Sequence, residues 1–154
     1  MTKDIRLSIF WNMQPQPTTV MVIEKHPLMR AAIVNAIADE PDLTIGAIAA
    51  NGFETMQIVE NLQPRIILFA IGNPGVDDLD MMRELHKRVP TAVVLALISD
   101  EVDGQSQSAL EYGADMVLAK TASRAELLHT LRLMKVNMEG SEENSSHVHR
   151  RGSG

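Results

Sequence analysis

Arg65-Ile66-Ile67-Leu68-Phe69-Ala70-Ile71-Gly72-Asn73-Pro74-Gly75 decides the fold of this chain. Ile66 to Ile71 is an unbroken apolar run, too short for a helix of its own and stopped by a Gly-Asn-Pro-Gly turn. Such a run is a strand covered on both faces, as in the middle of a parallel sheet. Whatever chemistry the sheet carries is expected where this strand meets its turn.

Outward from that strand, short apolar runs alternate with stretches of helical period. Upstream, Val20-Met21-Val22-Ile23 is a buried strand, and Pro27 suits the first position of a helix whose Leu28, Ala31, Ala32 and Ile37 recur near helical spacing. A strand from Leu43 to Ala49 follows. Asn51 with Glu54 forms a capping box for a helix with Met56, Val59 and Leu62 inside, stopped by Gln63-Pro64. Downstream, Leu79, Met82 and Leu85 mark a helix ending by Val89-Pro90, and Ala92 to Ile98 is the most hydrophobic strand. The next helix contains Gly104, Gln105, Ser106, Gln107 and Ser108, mediocre or poor helix formers, and is expected to be the least stable element. Met116-Val117-Leu118 is a fifth strand. Ser123 and Glu126 form another capping box, and Leu127, Leu128, Leu131 and Met134 carry the last helix to about residue 138.

Five such units with short connections predict right-handed crossovers and an α/β, doubly wound parallel sheet of flavodoxin-like (βα)5 type, with strand order 2-1-3-4-5 as a common solution. Function in such sheets gathers at the carboxyl ends of the strands, here after Ile23, Phe69 and Ile98. Composition agrees with one domain: 154 residues, 45% hydrophobic and 22% charged. A net charge of −6 argues against a surface made for nucleic acid, which would cluster Lys and Arg. The absence of cysteine excludes disulfides and thiolate metal sites. No apolar run approaches the roughly 20 residues of a membrane span, so a cytoplasmic protein is expected.

Glu24-Lys25-His26-Pro27-Leu28-Met29-Arg30, Asn73-Pro74-Gly75-Val76-Asp77, and Tyr112-Gly113-Ala114-Asp115 followed by Lys120 together resemble the successive signatures of a bacterial response regulator receiver domain, over roughly residues 19 to 137. His-Pro-Leu and Glu-Tyr-Gly-Ala-Asp are most similar to receivers that usually precede a helix-turn-helix output domain. The resemblance implies a two-component, phosphorelay setting. In that family two acids after the first strand and an aspartate ending the third hold magnesium, and the aspartate accepts a phosphoryl group. The matching positions here are Glu24, Lys25 and Ala70. One carboxylate remains, one has become a cation and the nucleophile is a methyl group, so neither magnesium nor aspartyl phosphate is expected. The Ser or Thr ending the fourth strand and the aromatic on the fifth match Ile98, or Ser99 after a one-residue slip, and Val117. Lys120 alone fits the family pattern fully. The expectation is a degenerate pocket, a pseudo-receiver with no catalytic residue, no metal and no cofactor.

Without metal, Lys25 is expected to form a salt bridge with Glu24, and Lys120 to pair with Glu24 and fix the loop after the fifth strand. His26 is expected to be a polar residue at a helix entrance. Asp77, Asp78 and Asp80 are an alternative phosphoacceptor cluster, but acids at a helix start favour the positive end of the macrodipole, and that is the simpler reading. A flavin is disfavoured because Glu24-Lys25-His26-Pro27 lacks a hydroxyl- and glycine-rich phosphate loop; a small-ligand sensor on the same fold remains a further alternative. His147-Val148-His149 lacks a third metal ligand, Arg150-Arg151-Gly152-Ser153 is an incidental match to a basic-directed kinase site, and the ten methionines fill a core.

Residues 1–18 are expected to be a flexible arm carrying the apolar cluster Ile9-Phe10-Trp11, residues 19–138 the receiver-like domain, and residues 139–154 a disordered tail unable to form an output domain. Output is then expected to pass to another signalling protein or to a second copy of the chain. The fourth helix, fifth strand and fifth helix supply the expected face, centred on Leu110, Tyr112, Leu127 and Leu131. Direct contact with nucleic acid or membrane is not expected.

Overall fold

Parallel pairing is the outcome of those apolar runs. The computed structural model describes residues 16–72, 75–99 and 102–152, with side chains as far as residue 138. Along the chain lie β1 (Thr18–Ile23), α1 (Pro27–Ala38), β2 (Leu43–Ala49), α2 (Gly52–Leu62), β3 (Ile66–Ala70), α3 (Val76–Arg88), β4 (Val93–Ile98), α4 (Gln105–Glu111), β5 (Met116–Ala119) and α5 (Arg124–Gly152). The strands form one parallel sheet in the order β2-β1-β3-β4-β5. β3 is buried at every position, as its sequence requires.

Side chains alternate across the sheet with a period of two, which divides the core. Met21, Ile23, Ile67, Phe69, Val94 and Ala96 face Val59 of α2, Met82 and Leu85 of α3, and Ala109 of α4. Val20, Val22, Ile66, Leu68, Leu95 and Leu97 face Ile33 and Ile37 of α1 and Leu127, Leu128, Leu131 and Met134 of α5. The register of β1 on β2 slips between Val20 and Met21, passing over Gly46. A Cβ on Gly46 would lie 2.4 Å from Thr19 Cγ2, so glycine is what lets the edge strand bulge there.

The helix starts follow their caps. Pro27 opens α1, Asn51 Oδ1 accepts the Glu54 N–H at 2.9 Å, and Ser123 and Glu126 form a reciprocal box at 3.1 and 3.0 Å. α4, of seven residues, begins after Gly104 with no side-chain cap.

The C-terminus departs from expectation. The last helix does not stop near residue 138 but continues to Gly152, in place of a disordered tail from residue 139. Its packed part ends where the apolar period ends, at buried Met134 and partly buried Met138. Beyond that point no proline interrupts the chain, and each residue added to a nucleated helix brings its own backbone hydrogen bond. Ile9-Phe10-Trp11 and the side chains of His147, His149, Arg150 and Arg151 lie outside the described residues.

α5 is tied back to the turn between α1 and β2. Arg132 Nε and Nη2 donate to the two carboxylate oxygens of Asp42, each at 3.0 Å, and Glu40 lies 3.5 Å from the same guanidinium. This fork holds the Asp42 carboxyl below its ordinary value of 3.8, chiefly through the Arg132 hydrogen bonds. A depressed folded-state value stabilises the fold above the unfolded value, and that stabilisation is lost as pH falls through the folded one. Asp42→Asn is therefore expected to melt below the parent at pH 7, and the gap is expected to narrow as pH falls below about 3.8, as followed by circular dichroism.

Candidate functional site

The carboxyl ends of β1, β3, β4 and β5 bring together Glu24, Lys25, Ala70, Ile98, Ser99 and Lys120, six of the seven residues expected to form the pocket. Val117, the seventh, lies one turn of the pleat lower on β5, half-buried against the α2, α3 and α4 layer. Ala70 is 6% exposed and sits beside Leu97, its register partner on β4. Its methyl belongs to the apolar layer beneath α1 and α5. Ile98 is buried in the opposite layer, so neither side chain offers an atom for polar chemistry.

The charges pair differently from the expectation. Lys25 Nζ does not bridge to Glu24 but to Asp78 Oδ1, at 2.8 Å. The reason is local: Asp78 is buried in the first turn of α3, and its Oδ2 accepts the Gly72 N–H at 2.7 Å, leaving Oδ1 in need of a cation. Glu24, 2% exposed, turns toward the entrance of α1 instead. Its Oε1 accepts the His26 N–H at 3.0 Å and lies 2.9 Å from His26 Nδ1, while Oε2 is buried without a partner. His26 is thus the N-cap residue of α1, as a polar residue at a helix entrance, and it holds Glu24. Lys120 does not pair with Glu24. Its N–H donates to the Ile98 carbonyl at 2.8 Å, and its side chain lines a groove of about 390 Å³ between α1 and α5, with Met29, Ile33, Leu97, Leu118 and Leu127.

Two residues of this end were not picked out from sequence as anchors. Asp78 carries the same helix-start signal as Asp77, and only burial separates them. Gln105, in a run read as mediocre or poor helix formers, is 3% exposed. Its Oε1 accepts the Ser99 N–H at 2.8 Å and its Nε2 donates to the Gly72 carbonyl at 3.0 Å. No spacing rule marks a glutamine for this.

The expected face on α4, β5 and α5 also needs correction. Leu127 and Leu131 are in the core, 7% and 0% exposed, because they are the apolar stripe that docks α5 on the sheet. Tyr112 is half-buried against the other layer, with Arg83 stacked 4.1 Å from its ring centroid. Leu110 is exposed, and among the described side chains of α5 the large apolar residues open to solvent are Leu133 and Val136.

With this geometry in hand, comparison with known proteins places the fold. The family model of the response regulator receiver domain matches residues 20–132. The chain is 28% identical over 116 residues to the nitrate/nitrite response regulator protein NarL of Escherichia coli strain K12, a match covering 75% of this chain and 54% of NarL. It superposes on the signal receiver domain of the response regulator NarL from Mycobacterium tuberculosis with a TM-score of 0.69 at 23% identity, covering 79% of this chain and 98% of that one. It also superposes on a chain from the complex of the P1 domain of CheA3 with CheY6 of R. sphaeroides, with a TM-score of 0.67 at 29% identity, covering 79% and 98%. The protein belongs to the response regulator receiver domain family, and so to the proteins of two-component signalling. The chain spans about half the length of the NarL protein it matches.

The magnesium implied by this family does not fit the residues present. A small dication needs several oxygen ligands, and among the described residues the matching positions offer one free carboxylate oxygen, an ammonium already bound to Asp78, and a methyl. Among the described residues no group of three acids or histidines could hold a metal.

The two lysines are therefore unequal. Lys25→Ala is expected to cost about 1–2 kcal/mol, because buried Asp78 keeps the Gly72 N–H but loses its cation. Lys120→Ala is expected to stay within about 0.5 kcal/mol of the parent. Urea unfolding of the two variants checks this, and equal losses would contradict the assignment.

Proposed function

We propose that this chain works as a phosphorylation-independent pseudo-receiver in signal transduction, acting in the cytoplasm through protein contacts rather than through phosphoryl chemistry. The observation that carries this reading is Ala70: the end of β3 presents a buried methyl group where the family's reaction needs a carboxylate. The Lys25–Asp78 pair supports it, since the Lys25 ammonium is taken up by the buried Asp78 carboxylate. Among the described residues at this end no carboxylate replaces the acceptor and no group of three acids or histidines could hold a metal, which supports a reading without phosphoryl chemistry.

The alternative acceptor among Asp77, Asp78 and Asp80 gains nothing from the geometry. Asp78 has both oxygens engaged, and Asp77 and Asp80 are exposed helix residues. Incubation with acetyl phosphate and magnesium is expected to leave the protein unlabelled and its NMR shifts unchanged. Acid-labile phosphate mapped to any aspartate would overturn the reading.

For output we propose contact with another signalling protein, or a second copy of the chain, over α4, β5 and the exposed flank of α5. The complex in which CheY6 is solved with the P1 domain of CheA3 supports a receiver-like surface engaging another signalling domain. Leu110 is the working residue of the proposed face, because it is half exposed and stands clear of the core. Leu110→Glu is expected to weaken association at least tenfold, by light scattering or with a partner captured from the native cell, without lowering the melting temperature. Tyr112→Glu is expected to lower the melting temperature as well, because it removes the ring beneath Arg83.

A further inference from the structure

We propose that Gln105 is a built-in latch that fixes the loops after β3 and β4, and with them the setting of α4, in a single arrangement; the proposal rests on the reading above that no phosphoryl group sets this end of the sheet. Three features distinguish Gln105 from a buried polar residue that is merely satisfied. First, its carboxamide uses both ends on two different loops, accepting from the Ser99 N–H at 2.8 Å and donating to the Gly72 carbonyl at 3.0 Å. These residues follow adjacent strands, β4 and β3, and are remote from each other in the chain.

Second, Gly72 is held from its other side. Its N–H is bound by Asp78 Oδ2 at 2.7 Å, and Asp78 Oδ1 holds Lys25 at 2.8 Å. A continuous series of polar contacts, Lys25 to Asp78 to Gly72 to Gln105 to Ser99, therefore crosses the carboxyl ends of β1, β3 and β4. Third, the backbone is shaped to admit the amide. Gly75 has φ of 79°, and a Cβ there would lie 2.5 Å from Ile71 Cγ2, 2.6 Å from the Gly72 carbonyl oxygen and 3.3 Å from Gln105 Nε2. Only glycine leaves both the conformation and the space.

The latch acts on α4 because Gln105 is that helix's first residue. Turn bonds from Val102 N–H to the Ser99 carbonyl at 3.3 Å and from Gln105 N–H to the Val102 carbonyl at 3.4 Å shorten the path between strand and helix. A seven-residue helix without a side-chain cap has little stability of its own, so its position depends on such tethers. Closing the two loops by a side chain presents Leu110 in one orientation without any input.

Native-state hydrogen exchange on the full chain tests this, with Gln105→Ala and Gln105→Glu. In Gln105→Ala, exchange is expected to quicken about tenfold at Ser99 and along α4, with the central amides of β1 and β3 unchanged, since a lost pair of tethers opens one region and not the whole domain. Gln105→Glu keeps an acceptor for Ser99 but has no donor for the Gly72 carbonyl, so protection at Ser99 is expected to survive while the Gly72 carbonyl-carbon resonance shifts. Unchanged exchange at Ser99 and α4 in the alanine variant overturns the latch. So does an equal quickening throughout the sheet, which would make Gln105 a general stability residue. Should the alanine variant not fold, an unmoved Gly72 carbonyl-carbon resonance in the glutamate variant overturns it equally. Labelling of the parent by acetyl phosphate would overturn the phosphorylation-independent reading instead, and the exchange result would still decide the latch.

Discussion

A carboxylate taken out of water is costly unless its charge is answered, and at the candidate functional end of this protein Asp78 is the buried carboxylate answered on both oxygens, Glu24 on one. Asp78 has the Gly72 N–H on one oxygen and the Lys25 ammonium on the other. The start of α3, the turn after β3 and the exit from β1 are thereby joined through one side chain. Other features of the corner follow. Lys25 is drawn away from Glu24, Glu24 turns to His26, and the Gly72 carbonyl is positioned to receive Gln105.

The same exchange of partners gives the site its character. A receiver that takes up phosphate needs a concentration of negative charge balanced by a removable cation, so that the site can change state. Here the buried Asp78 carboxylate is balanced by the Lys25 ammonium, and Gln105 adds two neutral hydrogen bonds between the loops. Fixed side-chain contacts carry no dependence on a ligand or a donor. This is what supports the proposed reading of a surface presented rather than switched.

The elements whose reading rested on strong local physics agree closely with the structure. β2 runs from Leu43 to Ala49 as read, Pro27 opens its helix, and the Ser123 and Glu126 box closes at both bonds. Strand order follows the flavodoxin-like expectation. Differences arose where a residue's role depended on distant neighbours. Leu127 and Leu131 have the period of a helix face, but period alone does not say whether the face meets a partner or the protein's own sheet. α5 outruns its apolar stripe for a related reason, because the stripe marks the packed part of a helix and not its end.

Sequence by itself determined the class of fold, the family and the presence of Ala70 at the end of β3. Apolar runs, caps and breakers act over a few residues, and the identity of residue 70 is a matter of composition at one place. Tertiary structure alone decided which charges pair and what holds the loops. Lys25 is adjacent to Glu24 in the chain yet reaches Asp78, and Gln105 is 33 residues from the carbonyl it binds. Such choices are set by which groups are buried together when β1, β3 and β4 lie side by side, and burial is a property of the folded sheet rather than of any segment within it.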